Sequence, residues 1–218
     1  MEDNFANLKD YIKILESYKL PDYKELSTIP LYMEQVVSYI QGVLEPIEND
    51  KTIITPFMIN NYVKAKILNA PENKKYDKDH IAYLIAISLL KQSASMREIA
   101  TLIEMDKILT NDKQRLYNLF KEMHDEVLKN QTHRTKLRLD ALEKSRKKKD
   151  KNSENLDLSY IALRLYIESE TSKLIADSIM NKISRDVLPL EAYQNDKKVD
   201  KIENKKEHKE AKKLSQRK

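Results

Sequence analysis

The chain has 218 residues, 40% of them hydrophobic and 34% charged, with one Gly, six Pro and no Cys. Without cysteine there is no disulfide framework, no thiolate metal site and no Cys nucleophile. With a single glycine, neither a phosphate-cradling loop nor a many-stranded sheet with tight turns is expected.

The net charge of +5 is unevenly placed. Residues 196–218 hold ten Lys/Arg against five Asp/Glu, so residues 1–195 balance to zero. Residues 1–50 are acidic, at net −6, and residues 51–105 are basic, at net +3. A basic middle is therefore the part to test for nucleic-acid contacts. The N-terminus MEDNFANLKD lacks the apolar run of a signal peptide, and no stretch is apolar enough for a bilayer span. The expected location is the cytoplasm.

In chain order, residues 4–18 read as a helix, with Phe5, Leu8, Ile12 and Leu15 at spacings of three and four. Residues 31–44 are a second helix, with Met33, Val36, Val37, Ile40 and Leu44 inward. Thr55 followed by Pro56 starts a third, which buries Phe57 or Met58, Ile59, Tyr62 and Val63 and ends near Ala65. Residues 66–76 are non-helical, anchored by Ile67 and Leu68. Asp77 caps a helix to Gln92, with the stripe Ile81, Leu84, Ile85, Ser88 and Leu89.

Ser95 and Glu98 form a capping box that opens a short helix through Glu104. A long helix runs from Asn111 to about Ser145, expected to bury Leu116, Leu119, Phe120, Met123, Val127 and Leu128. Residues 144–155 read as a charged break. Residues 156–183 are a last helix carrying Leu158, Ile161, Ala162, Leu165, Leu174, Ile175 and Ile179, and Pro189 ends the ordered region. Residues 195–218 lack apolar anchors and are expected to be disordered.

The span TPFMINNYVKAKILNAPENKKY, residues 55–76, joins a short polar helix to a lysine-bearing loop. Asn60 and Asn61 can pair with adenine edges in a major groove, and Lys64, Lys74, Lys75 and Lys78 can neutralise phosphates. Tyr76 is assigned with them as a contact to a backbone phosphate, whereas Tyr62 is expected to pack the loop onto the helix. Glu72, Asp77 and Asp79 dilute the basic patch. A second basic cluster comprises Arg134, Lys136, Arg138, Lys144, Arg146 and Lys147–Lys149. His80, His124, His133 and His208 match no ligand motif, so no metal, cofactor or catalytic site is expected.

The order helix, short helix, proline-bearing basic loop and two further helices resembles the DNA-binding domain of the MerR family. That family's Arg-Tyr-Tyr run corresponds to Asn60-Asn61-Tyr62, and its Gly-Leu-Leu to Lys66-Ile67-Leu68. Its proline and the end of its wing correspond to Pro71 and Lys74-Lys75-Tyr76. Here Asn60 replaces the groove-facing Arg, Lys66 replaces the loop glycine, and residues 45–54 form a longer turn. The chain resembles more closely a set of Firmicutes proteins known only as a domain of unknown function. The segments that carry this likeness are LYMEQV at 31–36, MINNYVK at 58–64, KKYDKDHIAYL at 74–84 and LKQSASMREI at 90–99.

The resemblance implies a mainly α protein. It divides into an N-terminal helix and linker at 1–30, a winged helix-turn-helix domain at 31–105, a helical module at 106–190 and a basic tail at 191–218. The module would form either a hairpin or a dimer interface. The function implied is a homodimeric DNA-binding transcriptional regulator acting on a palindromic duplex site, with an effector not identified. The other reading of the residues is a helical protein–protein adaptor that keeps the fold without binding DNA, with Tyr32, Tyr39 and Tyr83 marking a partner surface.

Overall fold

The computed structural model describes residues 4–47, 53–145 and 151–187. Its helices are α1 (Asn4–Ser17), α2 (Met33–Leu44), α3 (Pro56–Lys64), α4 (Lys78–Leu90), α5 (Met96–Leu109), α6 (Lys113–Ser145) and α7 (Lys151–Val187). The strands are β1 (Leu31–Tyr32) and β2 (Lys75–Tyr76), paired antiparallel with Leu31 opposite Tyr76. The expected tail and Pro189 lie outside the described residues, as do 48–52 within the expected long turn and Arg146–Lys149 of the second basic cluster.

Local chemistry sets the helix starts. Thr55 accepts the Met58 backbone N–H at 3.2 Å, with Pro56 just inside the helix. Asp77 accepts the His80 N–H at 3.0 Å, and Ser95 exchanges bonds with Glu98. α3 ends in a left-handed residue, Lys66, at φ 59°. There the Ile67 N–H reaches the Tyr62 carbonyl and the Lys66 N–H reaches Val63, the paired bonds of a Schellman motif.

α4 is the centre of the fold. His80, Ile81, Ala82, Leu84, Ile85, Ile87 and Ser88 are all buried, so this helix is enclosed on nearly every side. It lies between α2 and α6, and β2 packs against its start. Val36, Ile40 and Leu44 of α2, Met58, Ile59 and Tyr62 of α3, and Ile99 of α5 complete the main core. A smaller core joins Ile12 of α1 to Leu139 of α6, with Leu158 and Ile161 of α7 alongside.

Several expectations need correction. Leu31 and Tyr32 form a strand, because their backbone pairs with Lys75 and Tyr76 before α2 begins. α5 continues past Glu104 to Leu109, and α7 begins at Lys151 inside the expected charged break. Lysine is a good helix former, so a charged run does not by itself stop a helix.

The expected buried face of α6 is wrong in its middle: Leu119, Met123 and Val127 are 50%, 59% and 67% exposed. The inward positions are Tyr117, Thr132, Thr135 and Leu139, with Lys121 and Asp125 largely covered. The reason is the segment preceding β1, which crosses α6 and bonds to it. Asp125 accepts the Leu20 N–H at 3.1 Å, Tyr117 donates to the Pro21 carbonyl at 3.0 Å, and Lys121 pairs with Asp22. On α7, Leu174, Ile175 and Ile179 are likewise exposed.

Candidate nucleic-acid interface

Both parts of the expected interface rest on α2. α3 packs on one side of it, and the β1–β2 pair holds the basic loop at its start. The loop ends in a tight turn, Glu72 to Lys75, closed by the Lys75 N–H on the Glu72 carbonyl at 2.8 Å. Its two central residues, Asn73 and Lys74, have φ of 49° and 63°. Positive φ at both places is the sign of a hairpin turn that matches strand twist, formed here without glycine.

On α3, Phe57, Asn60 and Lys64 recur at three and four residues and are exposed, while Asn61 is half-buried. Consecutive residues point about 100° apart on a helix, which accounts for the difference between the two asparagines. Lys74 is exposed at the turn tip. Lys75 is half-buried, with its ammonium 5.1 Å from the centre of the Tyr32 ring. Tyr76 is 2% exposed, edge-on to the His80 ring, and belongs to the core. Lys78 donates to the Lys24 carbonyl at 3.3 Å and lies over the Tyr23 ring, so it faces the segment before β1.

His80 is the joint between loop and helix. Its Nδ1 lies 2.6 Å from Asp77 Oδ1 and its Nε2 lies 3.2 Å from the Asn69 carbonyl. Of the acids expected to dilute the patch, Asp79 is engaged elsewhere, with the Lys113 ammonium at 2.7 Å and the Tyr23 hydroxyl. His124 stands 3.5 Å from Asp125, a carboxylate already held by Leu20 and Lys121.

Among the described residues of the second basic cluster, Arg134, Lys136 and Arg138 are engaged in ion pairs. Arg134, Arg138 and Arg164 all converge on Glu168, at 3.3, 3.0 and 2.9 Å, and Gln131 donates to its other oxygen at 3.0 Å. Lys136 reaches Glu16 of α1 at 2.9 Å. No sequence pattern announced this joint, since Glu168 lies 34 residues from Arg134.

The Gln131 amide, then Arg164 and Arg138, hold the Glu168 carboxyl down at about 2, against an ordinary 4.5. A lowered value means the joint helps the fold above pH 4.5 and loses that help as pH falls toward 2. The protection of α7 backbone amides, measured relative to their intrinsic exchange rates at each pH, is therefore expected to fall over that window, and Glu168→Gln should remove the step.

α7 shows a second face with a regular spacing. Leu156, Tyr160, Leu163, Ile167 and Leu174 follow steps of four, three, four and seven, and each is 53–61% exposed. That is the spacing of a coiled-coil seam, interrupted by Glu170. The opposite face, with Leu158 and Ile161, turns toward α1 and α6.

Residues 21–127 match the model of a family described as Domain of unknown function (DUF1836). The DUF1836 match begins at Pro21, in the segment that crosses α6, and ends at Val127, partway along α6. It therefore takes in both supports of the interface and all of α4 and α5, and stops short of the exposed α7 seam. No curated protein and no solved structure matches the chain. No described helix is long and apolar enough to cross a membrane.

Proposed function

We propose that residues 31–105 act as a MerR-like winged helix-turn-helix in a cytoplasmic, homodimeric transcriptional regulator. α3 enters the major groove of duplex DNA, and the Glu72–Lys75 turn is the wing. The observation that carries this reading is the pairing of β1 with β2, which fixes the lysine-tipped turn and α3 to the same helix. Asn60 and Lys64 then read the groove and its edge, and Lys74 and Lys75 contact phosphates. Tyr76, buried in the core, anchors the wing, and Lys78 faces the segment before β1. The exposed seam of α7 joins two copies, so that two recognition helices meet a palindromic site.

The salt dependence of duplex binding tests the reading. Three lysines from each of two copies imply a slope of about −5 in log K against log salt. That is a loss of roughly 1,000-fold between 50 and 200 mM. Lys74→Glu with Lys75→Glu should remove most of that slope, while deletion of 196–218 should weaken only sequence-independent binding. A parent chain that binds no duplex, or binds with a flat slope, ends the proposal. The adaptor reading would then stand, supported by the engagement of Lys75 and Lys78 with Tyr32 and Tyr23 rather than with solvent.

A further inference from the structure

α3 presents a narrow outward strip made of Phe57, Asn60 and Lys64, with Phe57 41% exposed. At about 100° per residue the three side chains leave the helix within an arc of about 60°. Met58, Ile59 and Tyr62 of the same helix are buried in the main core. One exposed apolar side chain needs no explanation by itself. What singles out Phe57 is its company and its place. It lies one turn from Asn60, in the first turn of α3, and the amino-terminal residues of a groove-entering helix are those that meet base edges.

The chemistry of the strip is selective. An asparagine amide pairs with N6 and N7 of adenine, and a phenyl ring packs on the C5-methyl of thymine. Guanine is read most often by arginine, and α3 has none. Phe57 and Asn60 are three residues apart, so about 4.5 Å along the helix axis, close to the rise of about 3.4 Å between stacked base pairs. Resting on the DNA reading above, we propose that Phe57 sets the sequence preference by packing on a thymine methyl beside the adenine that Asn60 holds. Each half-site then carries two adjacent A·T pairs. Lys64, at the far end of the strip, lies at the groove edge and adds affinity without choosing a base. The methyl contact displaces no counterion, so the preference it creates keeps its size as salt rises, whereas the lysine contribution falls.

Selection from a random duplex pool with the full chain, followed by anisotropy titration of the recovered duplex, tests this. The recovered half-sites are expected to share two adjacent A·T pairs. Uracil at the contacted thymine removes one methyl and should weaken binding about fourfold per half-site, equally at low and moderate salt. This substitution changes only the DNA, so its result does not depend on how a protein variant folds. Replacing the adjacent adenine by 7-deazaadenine, which lacks N7, should weaken binding about fivefold per half-site. Phe57→Ala should bind the thymine and uracil duplexes alike and still respond to 7-deazaadenine, and Asn60→Ala should do the reverse. A duplex bound with the steep salt slope but without distinction between thymine and uracil overturns the inference and leaves the DNA reading standing. Half-sites recovered without the paired A·T steps do the same. A chain that binds no duplex overturns both.

Discussion

Glutamate at both Leu163 and Ile167 is expected to leave the chain monomeric and to lower its affinity for a palindromic duplex by about 100- to 10,000-fold. That range is the avidity lost when two linked binding units are separated. The two side chains are 54% and 53% exposed in the single chain, so the substitution removes little from its own core. Paired across a two-fold seam, it places four carboxylates in an apolar contact, where none has a partner.

Each large side chain leaves on the order of 100 Å² uncovered, so the five of the seam with Tyr166 beside them offer roughly 600 Å² per copy, toward the lower end of the range for a specific interface. Light scattering on a sizing column reads the mass, and a duplex titration reads the affinity. An unchanged mass would remove α7 as the dimer contact. A monomer with parental affinity would separate dimerisation from DNA binding.

Ile85→Ala is expected to cost about 3–4 kcal/mol of folding stability. Ile85 is fully buried at the middle of α4, a helix enclosed by its neighbours, so the vacated volume cannot fill by a small local shift. For a chain of this size the melting midpoint should fall by roughly 10 °C. Ile29→Ala, at a residue 72% exposed, is the control and should change stability by under about 0.5 kcal/mol. Urea unfolding followed by far-ultraviolet circular dichroism measures both. Equal losses at the two positions would mean that α4 is not the organising element of the core.

Features written in neighbouring residues were legible in the sequence. Thr55-Pro56, Asp77 and the Ser95–Glu98 pair marked helix starts because capping uses a donor and an acceptor only three residues apart. The core stripe of α4 was readable for the same reason, though not its near-complete enclosure, which depends on what packs around it.

What failed depended on distant partners. The inner face of α6 was assigned to its most apolar residues, but the segment crossing it supplies backbone groups that call for Asp125 and Tyr117, about a hundred residues away. β1 is two residues long and exists only through its pairing with β2. At the candidate interface the spacing placed Asn60 and Lys64 on the surface, where they are, and assigned Tyr76 to the DNA-contacting set, although it is 2% exposed and belongs to the core.

Lys66, Asn73 and Lys74 adopt left-handed backbone within nine consecutive residues, in a chain with one glycine to place anywhere. Each lysine held there carries strain of about 1–2 kcal/mol that glycine would relieve. Lys66→Gly and Lys74→Gly would thus make a sturdier protein that has given up two of its ammonium groups beside α3. Their retention is understandable if this stretch answers to a demand other than its own durability.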